Sequence, residues 1–383
     1  MILFTIISVL SIITYASFMN RIVNGWLTTM PASQYGGLRI VPKFSIIIAY
    51  RNESSNIEAC MRQLLNQKTT YPFEIIPVDD HSEDESRKIV ESLQKESPLI
   101  KATYLSLNQG KKAAILLGIE KSTGDVIVTL DADIRVGDHW LEALGNHESN
   151  TESALTIMPV MLEGETTLFE KMQVVEFLSI MGTTGGSAMN QDAIMCNGAN
   201  LAFSKKIFKE VNGFDGNQHL SSGDDMFLLI KLKKTNPKLI SYLKNPAAIG
   251  WTKPTKDVKS FLNQRIRWAS KATNLKDKSI MAAGTVVLLM NAIIVLHALF
   301  VALGLKSLLS FLLVLGIKSF FDWSLYTKVS PFFKKTQDLS VFAFTSLIFP
   351  FYCILVPIAG LVYKPSWKGR DIVQKNAAKR YNK

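Results

Sequence analysis

The run Val341–Tyr363 contains no charged residue at all. An uncharged apolar stretch of about 18 or more residues is long enough to cross a bilayer as a helix. Two more stretches of the same kind, Met1–Met19 and Ser279–Leu305, leave the charged residues concentrated between Pro42 and Lys278. A fourth, Ser307–Tyr326, is apolar but interrupted by Lys318 and Asp322. The chain therefore reads as one large soluble domain held between membrane segments. With 383 residues and 48% hydrophobic content it has ample apolar material for both.

The first positive charge, Arg21, follows the first apolar run, which lacks the basic leader of a signal peptide. Arg21 and Lys43 place the soluble domain on the cytoplasmic side by the positive-inside rule. The three widely spaced cysteines, Cys60, Cys196 and Cys353, argue against a disulfide framework and agree with a reducing compartment. The formal charge of +11 comes from basic clusters at 205–209, 231–244, 253–278 and 364–383. Flanked by membrane segments, these fit anionic lipid headgroups better than nucleic acid.

Within the soluble region strand and helix patterns alternate four times. Strands are expected at Phe44–Tyr50, Phe73–Val78, Leu99–Leu105 and Val126–Leu130, with helices after Ser55, over Asp84–Gln94 and over Gly110–Lys121. That alternation is the mark of a parallel sheet with helices on both faces. Beyond Asp133 the pattern loosens to a short helix at Trp140–Leu144, a strand at Leu155–Val160 and an amphipathic helix at Leu168–Met181. A soft Gly182–Ser187 stretch follows, and further helices open at Asp224 and Asp257.

Three acidic clusters stand at the ends of elements: Asp79/Asp80, Asp131/Asp133 and Asp224/Asp225. If Asp131 and Asp133 continue an extended segment, both point to one side at the carboxyl end of the strand, where open α/β sheets bind ligands. Paired carboxylates there repel each other unless a cation lies between them. A hard divalent ion, its shell completed by a nucleotide diphosphate, suits them.

Ser45–Glu53 (SIIIAYRNE), Asp79–Ser82 (DDHS), Asp131–Asp133 (DAD), Asp224-Asp225 and Gln264–Trp268 (QRIRW) resemble, in order and spacing, the membrane-bound family 2 glycosyltransferases. These include cellulose, chitin and hyaluronan synthases and ceramide glucosyltransferase-like enzymes. The resemblance covers about residues 42–270. It implies an α/β GT-A nucleotide-sugar-binding domain at 42–278. That domain is flanked by an N-terminal anchor at 1–22, membrane or interfacial helices at 279–363 and a basic cytoplasmic tail at 364–383.

It also implies an inverting transfer from a nucleotide-sugar donor, with Mg²⁺ or Mn²⁺, to a lipid or membrane-proximal glycan. Tyr50, Asn52, Glu53 and Asp80 would line the donor pocket with Asp131. Lys111 and Lys112 at a helix start are as open to solvent as to donor binding, and Lys112 is taken as the donor-side candidate. Asp133, with Asp131, would meet the metal, and Asp225, beside Asp224, would be the general base. Gln264, Arg267 and Trp268 would hold the diphosphate and cap the acceptor entrance. The family usually has Glu-Asp where this chain has Asp224-Asp225. Few apolar segments follow the soluble domain, which favours single transfer over a processive polysaccharide synthase. A non-catalytic membrane scaffold and a transporter are the remaining alternatives.

Two expectations concern topology. Leu168–Met181 and the helix of Arg267 and Trp268 would lie along the bilayer surface. A cytoplasmic tail requires Ser307–Tyr326 to be interfacial, or Pro350 and Pro357 to break the last segment into a re-entrant hairpin.

Overall fold

Phe44–Tyr50, buried along almost its whole length, is the strand around which the sheet is laid down. A computed structural model of the chain describes residues 2–28, 41–107, 109–215, 223–272, 276–363, 366–367 and 370–371. The elements in order begin with α1 (Ile2–Leu27), β1 (Phe44–Tyr50), α2 (Ile57–Leu65), β2 (Phe73–Asp79) and α3 (Ser86–Glu96). Next come β3 (Thr103–Tyr104), α4 (Lys111–Lys121), β4 (Val126–Leu130), α5 (Trp140–Glu148), β5 (Leu155–Ile157) and β6 (Val160–Leu162). Then follow α6 (Leu168–Met189), β7 (Asn200–Ser204), α7 (Lys205–Glu210), α8 (Asp224–Thr235), β8 (Ile240–Tyr242) and β9 (Gly250–Thr252). The helices α9 (Val258–Ala272), α10 (Lys278–Ala302), α11 (Leu308–Val329) and α12 (Leu339–Val362) follow, and then the short pair β10 (Ser366–Trp367) and β11 (Arg370–Asp371).

These elements form two units: 1–29, 162–195 and 254–365 make a helical unit, and 30–161, 196–253 and 366–383 a sheet unit. The expected tail at 364–383 falls mostly outside the described residues.

The sheet unit is built on seven strands in the order β3-β2-β1-β4-β7-β5-β8. β3, β2, β1 and β4 run parallel, as the alternation predicts. β7 lies antiparallel between β4 and β5, making the sheet mixed. The expected strand Leu99–Leu105 shrinks to Thr103–Tyr104 and a bridge from Ile100 to Ile75, because it is an edge with a single partner. The expected strand Leu155–Val160 ends at Ile157 and resumes at Val160. Pro159, which has no N–H for a ladder, falls in the gap. Its carbonyl accepts instead from Gly250 N–H at 2.9 Å and Asn200 Nδ2 at 2.8 Å.

In the helical unit α6 does not stop at Met181. It runs through the glycines to Met189, with Thr167 and Glu170 closing a capping box at its start. The glycines are used for close approach: a Cβ on Gly186 would lie 2.3 Å from the Ile22 carbonyl of α1. Small residues let two helix backbones meet in this way. Residues 173–178 of α6 are all buried, so the middle of this helix is covered all round, while Leu168 at its start stays exposed.

Among the described residues four helices are long and apolar enough to cross a membrane: Ile2–Leu27, Lys278–Ala302, Leu308–Val329 and Leu339–Gly360. Both charges in α11 are accommodated internally. Lys318, 2% exposed, pairs with Asp322 at 2.6 Å one turn on, and Tyr15 Oη donates to Asp322. The two charges are thus paired within the helical unit without calling on water. Pro350 and Pro357 do not create a hairpin, since α12 continues through both.

Candidate active site

The parallel register sets Tyr50 beside Asp79, so Asp80 and the Arg51–Asn56 loop leave the sheet together at its carboxyl edge. Asp131 leaves β4, the neighbour of β1 on the other flank. From β1 the order runs outward to β2 and β3 on one side and to β4 on the other. Such a reversal point is where open α/β sheets bind ligands, because the two flanking connections diverge and leave a crevice.

The loops after β1 and β2 are zipped together. Ser82 Oγ accepts from Asn52 N–H at 3.1 Å, and Asn52 Oδ1 accepts from Glu83 N–H at 2.8 Å. Ser86 Oγ accepts from Glu53 N–H at 2.7 Å. Arg51, 6% exposed, donates to the Asp80 carbonyl at 3.0 Å and to the His81 carbonyl, and pairs with Glu83 at 2.7 Å. Asn52 and His81 both adopt positive φ, 51° and 56°, a conformation asparagine tolerates better than most residues. Asp79 carries the turn, accepting from Ser82 N–H at 3.0 Å. Asp80 is left to accept from Gly110 N–H at 3.0 Å, at the start of α4. Tyr50 is buried, and its hydroxyl has no hydrogen-bond partner among the described residues.

β4 ends at Leu130, and Asp131–Asp133 lie in a turn beyond it, not in extended chain as expected. Ile134 N–H closes that turn on the Asp131 carbonyl at 3.0 Å. Asp133 Oδ2 accepts from Thr252 Oγ1 at 3.1 Å. Surrounding protein, then the charges of Asp131 and Glu53, raise the Asp133 carboxyl above its ordinary value. Burial, followed by the fields of Asp133, Asp131 and Glu53, pushes the Cys60 thiol up to about 12. The acids thus share one electrostatic environment. Among the described residues no cluster of three or more His, Cys, Asp or Glu is arranged to hold a metal. Asp131 and Asp133 fit a hard cation that brings most of its oxygen ligands with it, as one bound to a diphosphate does.

Asp224 and Asp225 open α8 behind Gly223, whose φ is 97°. Asp224 is buried, and Asp225 Oδ2 accepts from Gly198 N–H at 3.0 Å. A Cβ on Gly198 would stand 3.3 Å from that of Asp225. The next residue, Ala199, accepts from Asp131 N–H at 3.2 Å through its carbonyl. One short segment, Gly198-Ala199, therefore fixes both the acid after β4 and the acid on α8.

Lys111, at the start of α4, pairs with Asp131. Burial alone would lower its pKa, but Asp131, Asp224 and Asp225 outweigh this and raise it. Lys112, the lysine singled out from sequence, is buried near the rings of Phe227 and Phe214, at 5.7 and 5.9 Å. A helix turns 100° per residue, so adjacent lysines face different surroundings and sequence gives no means of choosing between them. Arg51, Gly198 and Thr252 meet their partners across intervening helices and strands, so local spacing does not mark them.

Gln264, Arg267 and Trp268 lie half-buried on α9 of the helical unit. The arginine between them, Arg265, is 5% exposed and bonded to Glu176 of α6.

A mixed sheet with acids at the ends of β2 and β4 and at the head of α8 is the arrangement of a GT-A sugar transferase. Residues 45–211 match the family described as glycosyl transferase family 2, and the chain carries a domain of that family. It is 40% identical over 100 residues to an undecaprenyl-phosphate 4-deoxy-4-formamido-L-arabinose transferase of Pseudomonas fluorescens, covering 24% of this chain and 28% of the relative. It is 25% identical over 232 residues to a poly-β-1,6-N-acetyl-D-glucosamine synthase of Staphylococcus epidermidis, covering 60% and 54%. The chain thus spans from about a quarter to about half the length of these relatives. A mannosyltransferase from Pyrobaculum calidifontis, solved in complex with GDP-Man and Mn²⁺, shares the fold. Its TM-score is 0.55 at 15% identity, covering 93% of this chain and 99% of that one.

Proposed function

We propose that this chain is an inverting, metal-dependent glycosyltransferase. It would move a sugar from a nucleotide donor, UDP-linked by our reading, to a lipid or membrane-proximal glycan acceptor. The observation that carries this is the shared anchorage of Asp225 and Asp131 on Gly198-Ala199. It gives the base and a donor-side acid a common rigid mount, as a displacement between two bound substrates requires.

Tyr50, Asn52, Glu53, Asp80 and Asp131 line the donor side, and Lys111 joins them in place of Lys112. The Asp225 carboxylate takes the proton of an acceptor hydroxyl as its oxygen bonds to the anomeric carbon and the bond to the diphosphate breaks. Asp133 and Asp131 would hold Mg²⁺ or Mn²⁺ together with the diphosphate, where the cation would neutralise charge on the leaving group. Gln264, Arg267 and Trp268 keep the diphosphate and acceptor-entrance roles implied by the sequence resemblance.

The donor-and-metal reading is supported by the solved mannosyltransferase with GDP-Man and Mn²⁺. The acceptor class is supported by a relative named for undecaprenyl phosphate. A polymer-forming activity has the support of the poly-N-acetylglucosamine synthase. We place the transferase domain at 42–278, in a multi-pass protein of the cell membrane with that domain on the cytoplasmic side.

The test is release of nucleotide from a panel of UDP-sugars by membranes containing the protein, with Mg²⁺ or Mn²⁺, beside Asp225→Asn. Turnover of one donor that needs the cation and vanishes in the variant supports the reading. Binding of donors without turnover, even with total lipid extract added, turns it to a non-catalytic scaffold.

A further inference from the structure

Arg265 is an unassigned residue inside the Gln264–Trp268 motif, and its guanidinium has four engagements at once. Nε donates to Glu176 Oε1 and Oε2 at 3.0 and 3.1 Å, and Nη2 donates to Oε2 at 2.6 Å. Nη1 donates to the side-chain carbonyl of its neighbour Gln264. The guanidinium carbon lies 4.3 Å from the centre of the Trp268 ring and 4.5 Å from that of Phe261. Glu176 also accepts from Tyr352 Oη of α12 at 3.1 Å. All these residues belong to the helical unit, and Arg265 and Glu176 are 5% and 8% exposed.

A buried ion pair of this kind adds little net stability over an apolar replacement, because both charges must leave water. What it does supply is geometry. A guanidinium fork accepts one planar arrangement of partners and stacks on aromatic faces, so it fixes the direction of each group it meets. Here two of those groups, Gln264 and Trp268, are motif residues.

We propose that Arg265, clamped by Glu176 and Tyr352, is the positioning residue that sets Gln264 and Trp268 for the transfer. It touches neither donor nor acceptor and acts through those two side chains. This rests on the functional reading above only for what Gln264 and Trp268 do, not for how they are held.

The test uses the full chain in lipid nanodiscs and two kinds of measurement. Hydrogen–deuterium exchange by mass spectrometry needs no activity. Arg265→Lys and Glu176→Gln should each speed exchange over residues 258–272 about tenfold, with the strands of the sheet unit unaffected. Tyr352→Phe, which removes only the outer contact, should give a smaller change in the same peptides. In turnover, Arg265→Lys should lower kcat about tenfold while donor KM stays within about threefold. That loss should largely disappear when Arg265→Lys is combined with Gln264→Ala and Trp268→Ala, since residues acting through one another are not additive.

Unchanged exchange in both variants overturns the proposal whether or not the protein turns over a donor. So does a kcat loss that adds in full to that of Gln264→Ala and Trp268→Ala, which would mark Arg265 as merely structural. If the wild type releases no nucleotide from any donor, the functional reading fails, and the exchange result alone decides whether Arg265 anchors α9.

Discussion

Lys111 and Asp131 form an ion pair at the carboxyl edge of the sheet, with the fields of Asp224 and Asp225 also acting on the ammonium. A cation of the chain itself thus stands among the acids to which a divalent ion is assigned. Lys111→Met should leave those carboxylates mutually repelling, by the ordinary Coulomb argument. The variant is expected to melt several degrees lower in EDTA and to recover more than the wild type on adding Mn²⁺. Thermal unfolding with and without the cation measures both. Equal metal response in the two proteins counts against the placement of the metal at Asp131 and Asp133.

Asp225→Asn keeps the shape and can still accept from Gly198 N–H, but cannot take a proton from a hydroxyl. We expect kcat to fall by about 10²–10⁴ with donor affinity unchanged, the range for losing a general base. Steady-state kinetics beside direct donor binding separates the two. A variant retaining a tenth of the activity places the base elsewhere.

Glu148 and His147 titrate in opposite senses within one half-buried polar network. Burial raises Glu148 to about 7, partly offset by the hydrogen bond from Thr156. Burial lowers His147, whose Nε2 lies 2.8 Å from Ser241 Oγ, to about 4. Unfolded, the two groups titrate near about 4.3 and 6.5. Folded Glu148 holds its proton longer than unfolded, so stability falls as pH rises from about 4.5 to 7. Folded His147 gives up its proton earlier, so stability rises from about pH 4 to 6.5. Glu148→Gln removes the first term alone. Relative to wild type it should gain about 1–3 kcal/mol at pH 8 over its effect at pH 5. Denaturant unfolding at the two pH values checks this, and a difference independent of pH contradicts it.

Lys318 and Asp322 should be tolerated only as a pair. Removing one partner leaves a buried charge uncompensated, a cost of about 3–5 kcal/mol. Lys318→Leu or Asp322→Leu is therefore expected to lower the thermal midpoint in detergent sharply. The double variant should regain most of the loss. If the double variant is as unstable as the sum of the singles, the pair is not the reason these charges are accepted.

Much of this was legible in the chain because it depends on local period. The alternation from Phe44 to Leu130 marked the parallel strands β1, β2 and β4. The apolar runs foreshadowed α1, α10, α11 and α12. The acids at 79–80, 131–133 and 224–225 were found because each follows or opens an element. What escaped notice depends on which segments meet. The reversed direction of β7 has no local signature, since the strand expected in that region pairs as readily either way. The Gly182–Ser187 stretch reads as soft, yet within it Gly186 is where α6 admits α1 and Gly182 is where it meets α11. Lys318 and Asp322 looked like interruptions until Tyr15 and the helix turn between them supplied partners.

The sequence by itself determined the class of fold, the apolar runs long enough to cross a membrane and the acidic ends of the strands, because strand and helix periods and apolar run length are properties of neighbouring residues. Only the tertiary structure decided that Lys111 rather than Lys112 reaches Asp131, and that Arg265 rather than Arg267 is buried against Glu176. It alone showed that Gly198-Ala199 ties Asp225 to Asp131. In each case residues remote in sequence meet, or the partner on another element selects between adjacent candidates, and spacing along the chain carries no record of either.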